Sequence, residues 1–386
     1  MRVAMVSGHG QVAELSAALA GRGHDVTVYT RRDDPTEPEI THTPAGYRVV
    51  RLAAGPATSV PTDELLPHLN DFVKRLIEHA WTDRPDVLHG HFWMAGMVAS
   101  LAGRVLEVPM VQSFHGLGTV RLRHLGRADT GPRSRIAVER AIGRSADRVV
   151  AGCGAEAFEL ARMGVPRYKV SVVPAGVDLD RFTPDGPQAA RGSAPRVVSV
   201  GKLVPRKGFT DLIAALPLVP DAELVIVGGP DAGLEHDPEA SRLRFEAAKL
   251  GVEDRVRLTG RVARADLPAL LRSADLVACV PWYEPFGVVA LEAMACGVPV
   301  LASAVGGLTD TVIDGVTGVL VPPRDVRALG RAMRRLLADE TERGMLAAAG
   351  CDRARVRYTW DRIALDTERV YLSVVEHSEA SAAGKA

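Results

Sequence analysis

Short apolar runs alternate with helix-period segments along almost the whole chain, and they do so in two successive series separated by a stretch with no period. This alternation constrains the fold more than any other feature. Strands that are apolar throughout must be covered on both faces, and strand–helix–strand repetition covers them in a parallel sheet. In the first series Val3 to Val6, Val26 to Tyr29, Val87 to His89, Met110 to Phe114, Arg148 to Ala151 and Val170 to Val173 read as strands. Between them, Val12 to Ala20, Asp63 to Ala80, Gly96 to Arg104 and Arg133 to Gly143 read as helices. The second series starts at Val197 to Val200 and continues through Leu224 to Val227, Val256 to Leu258, Leu276 to Cys279, Val288 to Cys296, Val300 to Ser303 and Gly318 to Val321.

The stretch "TPDGPQAARGSAP", residues 183 to 195, is rich in Pro, Gly and Ala and reads as a linker. The expected fold class is therefore α/β, with two doubly wound Rossmann-like domains facing an interdomain cleft. Residues 1–188 form the first domain and 189–360 the second, and residues 361–386 form a helix returning to the first domain and ending in a frayed tail. A length of 386 residues with 47% apolar side chains supplies two cores. Ligands are expected at the carboxyl ends of the strands.

Charge and cysteine content narrow the function classes. Lysine plus arginine and aspartate plus glutamate balance at 47 each, so no bulk positive field points to nucleic acid, and any anion site must be local. Cys153, Cys279, Cys296 and Cys351 have neither metal-ligand nor disulfide-framework spacing, and Cys279 and Cys296 read as small core side chains. "MRVAMVSGHG" has no signal-peptide core, and no apolar run is long enough to span a bilayer, so a cytoplasmic protein is expected. A homodimer is compatible with this surface.

Three groups of residues have the chemistry of a site. Gly201 to Gly208, "GKLVPRKG", follows a strand and leads into a helix, placing Lys202, Arg206 and Lys207 where an anion would be cradled; taken alone, a solvated basic loop explains it as well. Gly229 and the pair Gly260-Arg261 end strands on the same expected side, either as turns or for close passage of a nucleotide. In "YEPFGVVALEAMACGVPVLASAVGG", residues 283 to 307, Glu284 precedes the turn at Phe286-Gly287, Val288 opens a helix with free N–H groups, and Glu292 lies one turn inside it. Two carboxylates beside so apolar a helix need donors, and sugar hydroxyls are suitable ones. His115, in "VQSFHGLG", follows a strand and is either a donor to a substrate hydroxyl or a satisfied structural residue; His89 and His91 are weaker candidates. Arg121, Arg123, His124 and Arg127 follow in an expected mobile loop, where an anionic acceptor or plain solvation accounts for them equally. No HExxH pattern supports a metal, and none is expected.

These segments resemble the retaining nucleotide-sugar glycosyltransferases of the two-Rossmann-domain (GT-B) type, glycosyltransferase family 4, in bacterial and actinobacterial-like form. The resemblance runs through "AGRGHDVTVYTRR" at 20–32, "RPDVLHGHFW" at 84–93, "SFHGLG" at 113–118, "VSVVPAGVDLDRFTP" at 170–184, "VGKLVPRKGF" at 200–209 and the 284–307 segment. It implies transfer of a hexose or N-acetylhexosamine from a nucleoside diphosphate sugar, UDP-linked before GDP- or ADP-linked, to a small polar or phosphorylated acceptor. No separate cofactor is implied. By the same resemblance Lys207 holds the diphosphate, Glu284 the donor-sugar hydroxyls, Glu292 the ribose, and His115 stands near the reacting centre. Lys202, Arg206, Gly229, Gly260, Arg261, Phe286, Gly287 and Val288 complete the donor site. Lys202 stands where relatives commonly carry arginine, and it lacks the planar fork. The loop Ser7 to Gln11 is shorter than in close relatives, which keeps a nucleotide-sugar-binding pseudo-enzyme as the alternative reading. An epimerase would need ordered acid and base groups that Glu284 and His115 alone supply thinly.

Overall fold

A computed structural model of the chain describes residues 1–7, 12–61, 64–231 and 233–383, with side chains to 378. The described residues form two compact units, one of Met1–Pro174 with Trp360–Ala386, the other of Ala175–Thr359.

In the first unit, strands β1 (Arg2–Ser7), β2 (Asp25–Arg31), β3 (Ile40–His42), β4 (Arg48–Leu52), β5 (Val87–His91), β6 (Met110–Ser113), β7 (Arg148–Ala151) and β8 (Val170–Val172) make a sheet in the order β3-β4-β2-β1-β5-β6-β7-β8. All neighbours are parallel except the antiparallel pair β3 and β4. That pair is absent from the sequence expectation, because a short exposed edge strand and a neighbour carrying Arg48 and Arg51 show no apolar run. Every residue of β5 is buried, as a central strand covered on both faces requires.

The second unit holds β9 (Arg196–Val200), β10 (Glu223–Val227), β11 (Val256–Gly260), β12 (Leu276–Cys279), β13 (Val300–Ser303) and β14 (Val319–Val321), all parallel, in the order β11-β10-β9-β12-β13-β14. The strand order reverses between β9 and β12, which makes the space beyond their carboxyl ends the topological switch point. In the first unit the reversal falls between β1 and β5. Open α/β sheets bind ligands at such points.

The division between units falls at 174/175 and 359/360, not at 188/189 and 360/361. The physical reason is that the segment expected to be a free linker is docked on the second unit. Phe182 is fully buried in the cluster that contains Leu267, Leu271 and Leu291. Arg272 donates to the carbonyls of Thr183 and Pro187, both at 2.9 Å, and Ala189 N donates to Ala269 O at 2.8 Å. Trp360 opens the last helix, Trp360–Ala383, whose Ile363, Val370, Tyr371 and Val374 share a buried cluster with Val3, Met5 and Leu19 of the first unit. Arg121 and Arg123 lie on a helix, Gly118–Leu125, and Arg127 on the short turn Gly126–Ala128, so the expected mobile loop is largely helical.

Truncating Phe182 to alanine empties a site that was fully buried, and the expected cost is roughly 3–5 kcal/mol. Urea titration should show the second unit's transition moved to lower denaturant. An unchanged transition would mean that 175–195 does not belong to that unit's core.

Candidate functional site

In the second unit the basic turn after β9 and the acidic turn after β12 meet. Lys207 closes the one-turn helix Pro205–Lys207, and its Nζ lies 2.6 Å from Glu284 Oε2, with both side chains largely buried. The two turns are also joined through backbone, Trp282 N donating to Arg206 O at 2.8 Å. Arg206 stands over the Tyr283 ring at 5.2 Å, and Arg324 stacks on Trp282 at 3.8 Å. A cavity of about 120 Å³ opens here, lined by Ser199, Lys207, Cys279, Glu284, Gly287 and Val288.

Gly287 precedes the helix Val288–Ala295 with φ +78°, and a Cβ there would come within 2.7 Å of Leu308. Glycine is required for both reasons. Behind it, Gly307 N donates to Glu284 O at 2.8 Å and Thr311 Oγ1 donates to Phe286 O at 3.2 Å, which fixes the turn that aims the helix amino terminus. A Cβ on Gly306 would strike Glu284 O at 2.1 Å, so the glycine pair at 306–307 lets this strap pass.

Glu292 is buried one turn inside that helix, only 1% exposed, and carries an ion pair that the sequence did not signal. Arg264 Nη1 lies 2.5 Å from Glu292 Oε1, a close charge approach rather than a well-aligned hydrogen bond, while its guanidinium covers the Phe182 ring at 4.8 Å. Lys202 is exposed on the same turn as Lys207. Gly229 follows β10, Gly260 ends β11, with Gly228 N donating to Gly260 O at 2.9 Å, and Arg261 pairs with Asp231. Burial pushes the Cys279 and Cys296 thiols up to about 12, so neither is a thiolate near neutrality.

Three histidines of the first unit, His89, His91 and His115, lie in or just beyond β5 and β6. His89 bonds the Tyr371 hydroxyl through Nδ1 at 2.7 Å and Ser113 Oγ through Nε2 at 2.9 Å. His91 Nδ1 lies 2.9 Å from His115 Nε2, the rings stacked at 5.1 Å, and His91 Nε2 lies 3.3 Å from Met5 Sδ. A thioether accepts and cannot donate, so His91 carries its proton on Nε2 and accepts at Nδ1 from His115 Nε2–H. Nδ1 of His115 is then an acceptor. His91, read from sequence as a weak candidate, is the residue that fixes this tautomer. Burial lowers all three imidazoles, His89 to about 3, His115 to about 4 and His91 well below its ordinary value.

His115 sits in the left-handed region, φ +56°, in a turn braced by groups the sequence did not single out. Glu156 accepts from Gly152 N at 2.7 Å and Gly116 N at 3.3 Å. Glu139 accepts from Gly118 N at 2.8 Å and from Arg135 Nε at 2.6 Å, and Arg135 Nη2 donates to Gly116 O at 2.8 Å. Their signal in the sequence was only a glutamate in the first turn of the helix after β7, and an arginine–glutamate pair four apart. Of the short loop at Ser7 to Gln11, Ser7 ends β1 beside His91, and residues 8–11 lie outside the described residues.

Two family models match nearly the whole chain: Glycosyltransferase Family 4 over residues 10–181 and Glycosyl transferases group 1 over residues 183–353. The chain is 36% identical over 388 residues to the D-inositol 3-phosphate glycosyltransferase of Xylanimonas cellulosilytica, covering 96% of this chain and 92% of that protein. To the enzyme of the same name from Salinispora tropica it is 36% identical over 393 residues, covering 95% and 81%. Among solved structures, sucrose-phosphate synthase from Thermosynechococcus elongatus superposes with a TM-score of 0.87 at 31% identity, over 98% of this chain and all of that one (100%). Anabaena HepE, solved with UDP and glucose, shares the fold with a TM-score of 0.76 at 22% identity, covering 97% of this chain and 100% of that one. Two doubly wound sheets, each with its polar residues gathered at a switch point, are those of a GT-B glycosyltransferase acting with a nucleotide sugar. The chain belongs to glycosyltransferase family 4. Among the described residues no helix is long and apolar enough to cross a membrane.

The neutral histidines make the first unit sensitive to mild acid. Unfolded histidine titrates near 6.5, whereas the folded His89 and His115 hold out to about 3 and about 4. From pH 6.5 down to about 4 the unfolded chain therefore binds more protons, and stability falls by up to about 1.4 kcal/mol per pH unit for each such histidine. Urea unfolding at pH 7, 6 and 5, above most carboxylate titration, should show this loss, with a shallower slope for His115→Asn. Equal slopes would place His115 in water.

Proposed function

We propose that the chain is a retaining glycosyltransferase. It moves a hexose or N-acetylhexosamine from a nucleoside diphosphate sugar to a hydroxyl of a small polar acceptor, with uridine diphosphate the first nucleotide to test and guanosine and adenosine diphosphates next. The observation that carries this reading is the Lys207–Glu284 pair at the β9/β12 switch point, beside the amino terminus of helix Val288–Ala295. A cation and free N–H groups suit a diphosphate, and a carboxylate within the same turn suits sugar hydroxyls.

In this reading Lys207, assisted by Arg206 and Lys202, takes the negative charge that develops on the leaving diphosphate. Such stabilisation acts where charge appears in the transition state. Phe286, Gly287 and Val288 present backbone to the donor, Gly229, Gly260 and Arg261 border the nucleotide, and Glu292 accepts from the ribose diol. Glu284 accepts from hydroxyls of the transferred sugar, and His115 is the first unit's contribution to the reaction. The anomeric C–O bond to the diphosphate breaks, the acceptor oxygen bonds to the same face of that carbon, and the acceptor's proton passes to a diphosphate oxygen.

The variants separate these roles. Lys207→Ala should weaken nucleoside diphosphate and diphosphate-sugar alike, by about 1.5–3 kcal/mol for a charge-assisted contact. Glu292→Gln should weaken any ligand that carries the ribose. Glu284→Ala and His115→Ala should reduce transfer far more than they reduce binding of the free diphosphate, since their partners are absent from it. Calorimetry showing unchanged affinity in both Lys207→Ala and Glu292→Gln would put the donor elsewhere.

A cationic turn in the diphosphate position removes the need for a divalent ion, so we propose that no metal or other cofactor takes part. Turnover should survive EDTA unchanged. Loss of activity restored by magnesium would show that a metal, not Lys207, carries the leaving group's charge.

A further inference from the structure

The relatives called D-inositol 3-phosphate glycosyltransferases are named for a phosphorylated polyol. A phosphate monoester is usually held by backbone N–H groups turned inward in a loop and by arginine forks. Around His115 those positions are already filled from within the chain. Gly116 N and Gly152 N donate to Glu156, and Gly118 N donates to Glu139. Both carboxylates are buried, Glu139 completely. Arg135, the guanidinium that the described contacts place on this turn, is itself buried; it is spent on Glu139 and Gly116 O and lies over the Phe92 ring at 5.1 Å.

Two of the cations that follow along the chain, Arg121 and Arg123, are also committed. Arg121 pairs with Asp129 at 2.7 Å, and Arg123 forks onto both oxygens of Glu159 at 2.9 and 2.8 Å. The turn is thus backed by two carboxylates and one guanidinium, and an incoming dianion would meet surplus negative charge in a low-dielectric surrounding, where like charges repel most. Hydroxyl groups face no such penalty, since they can donate to carboxylates and to an imidazole acceptor.

We infer that the acceptor is an uncharged polyol or sugar, and that Glu139 and Glu156 act as positioning residues that occupy the sites a phosphate would take and so reject phosphorylated analogues. This rests on the transferase proposal above, with the acceptor placed beside His115.

The test is transfer from UDP-glucose, GDP-mannose and ADP-glucose to matched acceptors, myo-inositol against D-inositol 3-phosphate and fructose against fructose 6-phosphate, with nucleotide release and product both followed. In whichever pair turns over faster, kcat/KM for the uncharged member should exceed that for its phosphate ester by about tenfold or more. Glu156→Gln should raise the ratio of phosphorylated to uncharged turnover, chiefly through KM for the phosphorylated acceptor, an effect that a merely folding-related role would not produce. The wild-type comparison stands even where that variant fails to fold. Where no acceptor turns over, calorimetry with the same four compounds on the protein saturated with nucleoside diphosphate replaces kinetics. Preference for the phosphorylated member in either measurement overturns this inference and leaves the transferase reading intact. Failure to bind any of the three donors overturns the transferase reading, and this inference with it.

Discussion

The contact between Lys207 and Glu284 joins two turns that are 77 residues apart in the chain and adjacent only because β9 and β12 are neighbours in the sheet. Charges this well covered are tolerated only when paired, so the ion pair and the strand order depend on each other. Around it the remaining features are supports. Trp282 N ties the acidic turn to the basic one, Gly306 and Gly307 let the following strap pass against Glu284, and Gly287 gives the helix its entry angle. The unit therefore keeps this cation and this carboxylate in register by having each neutralise the other. In the function proposed here, a ligand that offers both a diphosphate and a hydroxylated ring replaces the two partners together.

The first unit meets the same problem with different materials. Three of its histidines lie in or just beyond β5 and β6 as neutral imidazoles, linked to a thioether, a serine and the tyrosine of the last helix. Imidazoles that stay neutral can be buried without counterions, whereas the neighbouring Glu139 and Glu156 need backbone N–H groups to remain buried. Burial raises both of those carboxyls, and the backbone donors and, for Glu139, Arg135 oppose that rise. The result is a turn whose conformation at His115, in the left-handed region, is held from both sides.

Much of this was readable in the chain, because the signals are local. The apolar runs gave the central strands, and the turn at Glu284 to Val288 and the basic turn at Lys202 to Lys207 announce themselves within ten residues. The unreadable parts depend on distance. Glu156 looks like an ordinary first-turn helix charge until Gly116, 40 residues earlier, is seen to donate to it. Arg264 looks like a solvated surface residue, yet its charge lies against Glu292. Composition misled at residues 183–195, where Pro, Gly and Ala suggested a free linker. The partners that dock the segment, Ala269 and Arg272, lie far along the sequence and leave no mark within it.

The chain leaves its first unit at Pro174 and re-enters it at Trp360. During synthesis the whole of the second unit therefore emerges before the helix that covers Val3, Met5 and Leu19 exists. Domains fold as units while the chain is being made, so the second unit, although later in sequence, is the first whose core is complete. Until residue 371 arrives, His89 also lacks the tyrosine that occupies its Nδ1. The amino-terminal sheet thus waits for the carboxyl terminus, and a prematurely terminated chain would display an apolar sheet face with a finished domain attached to it.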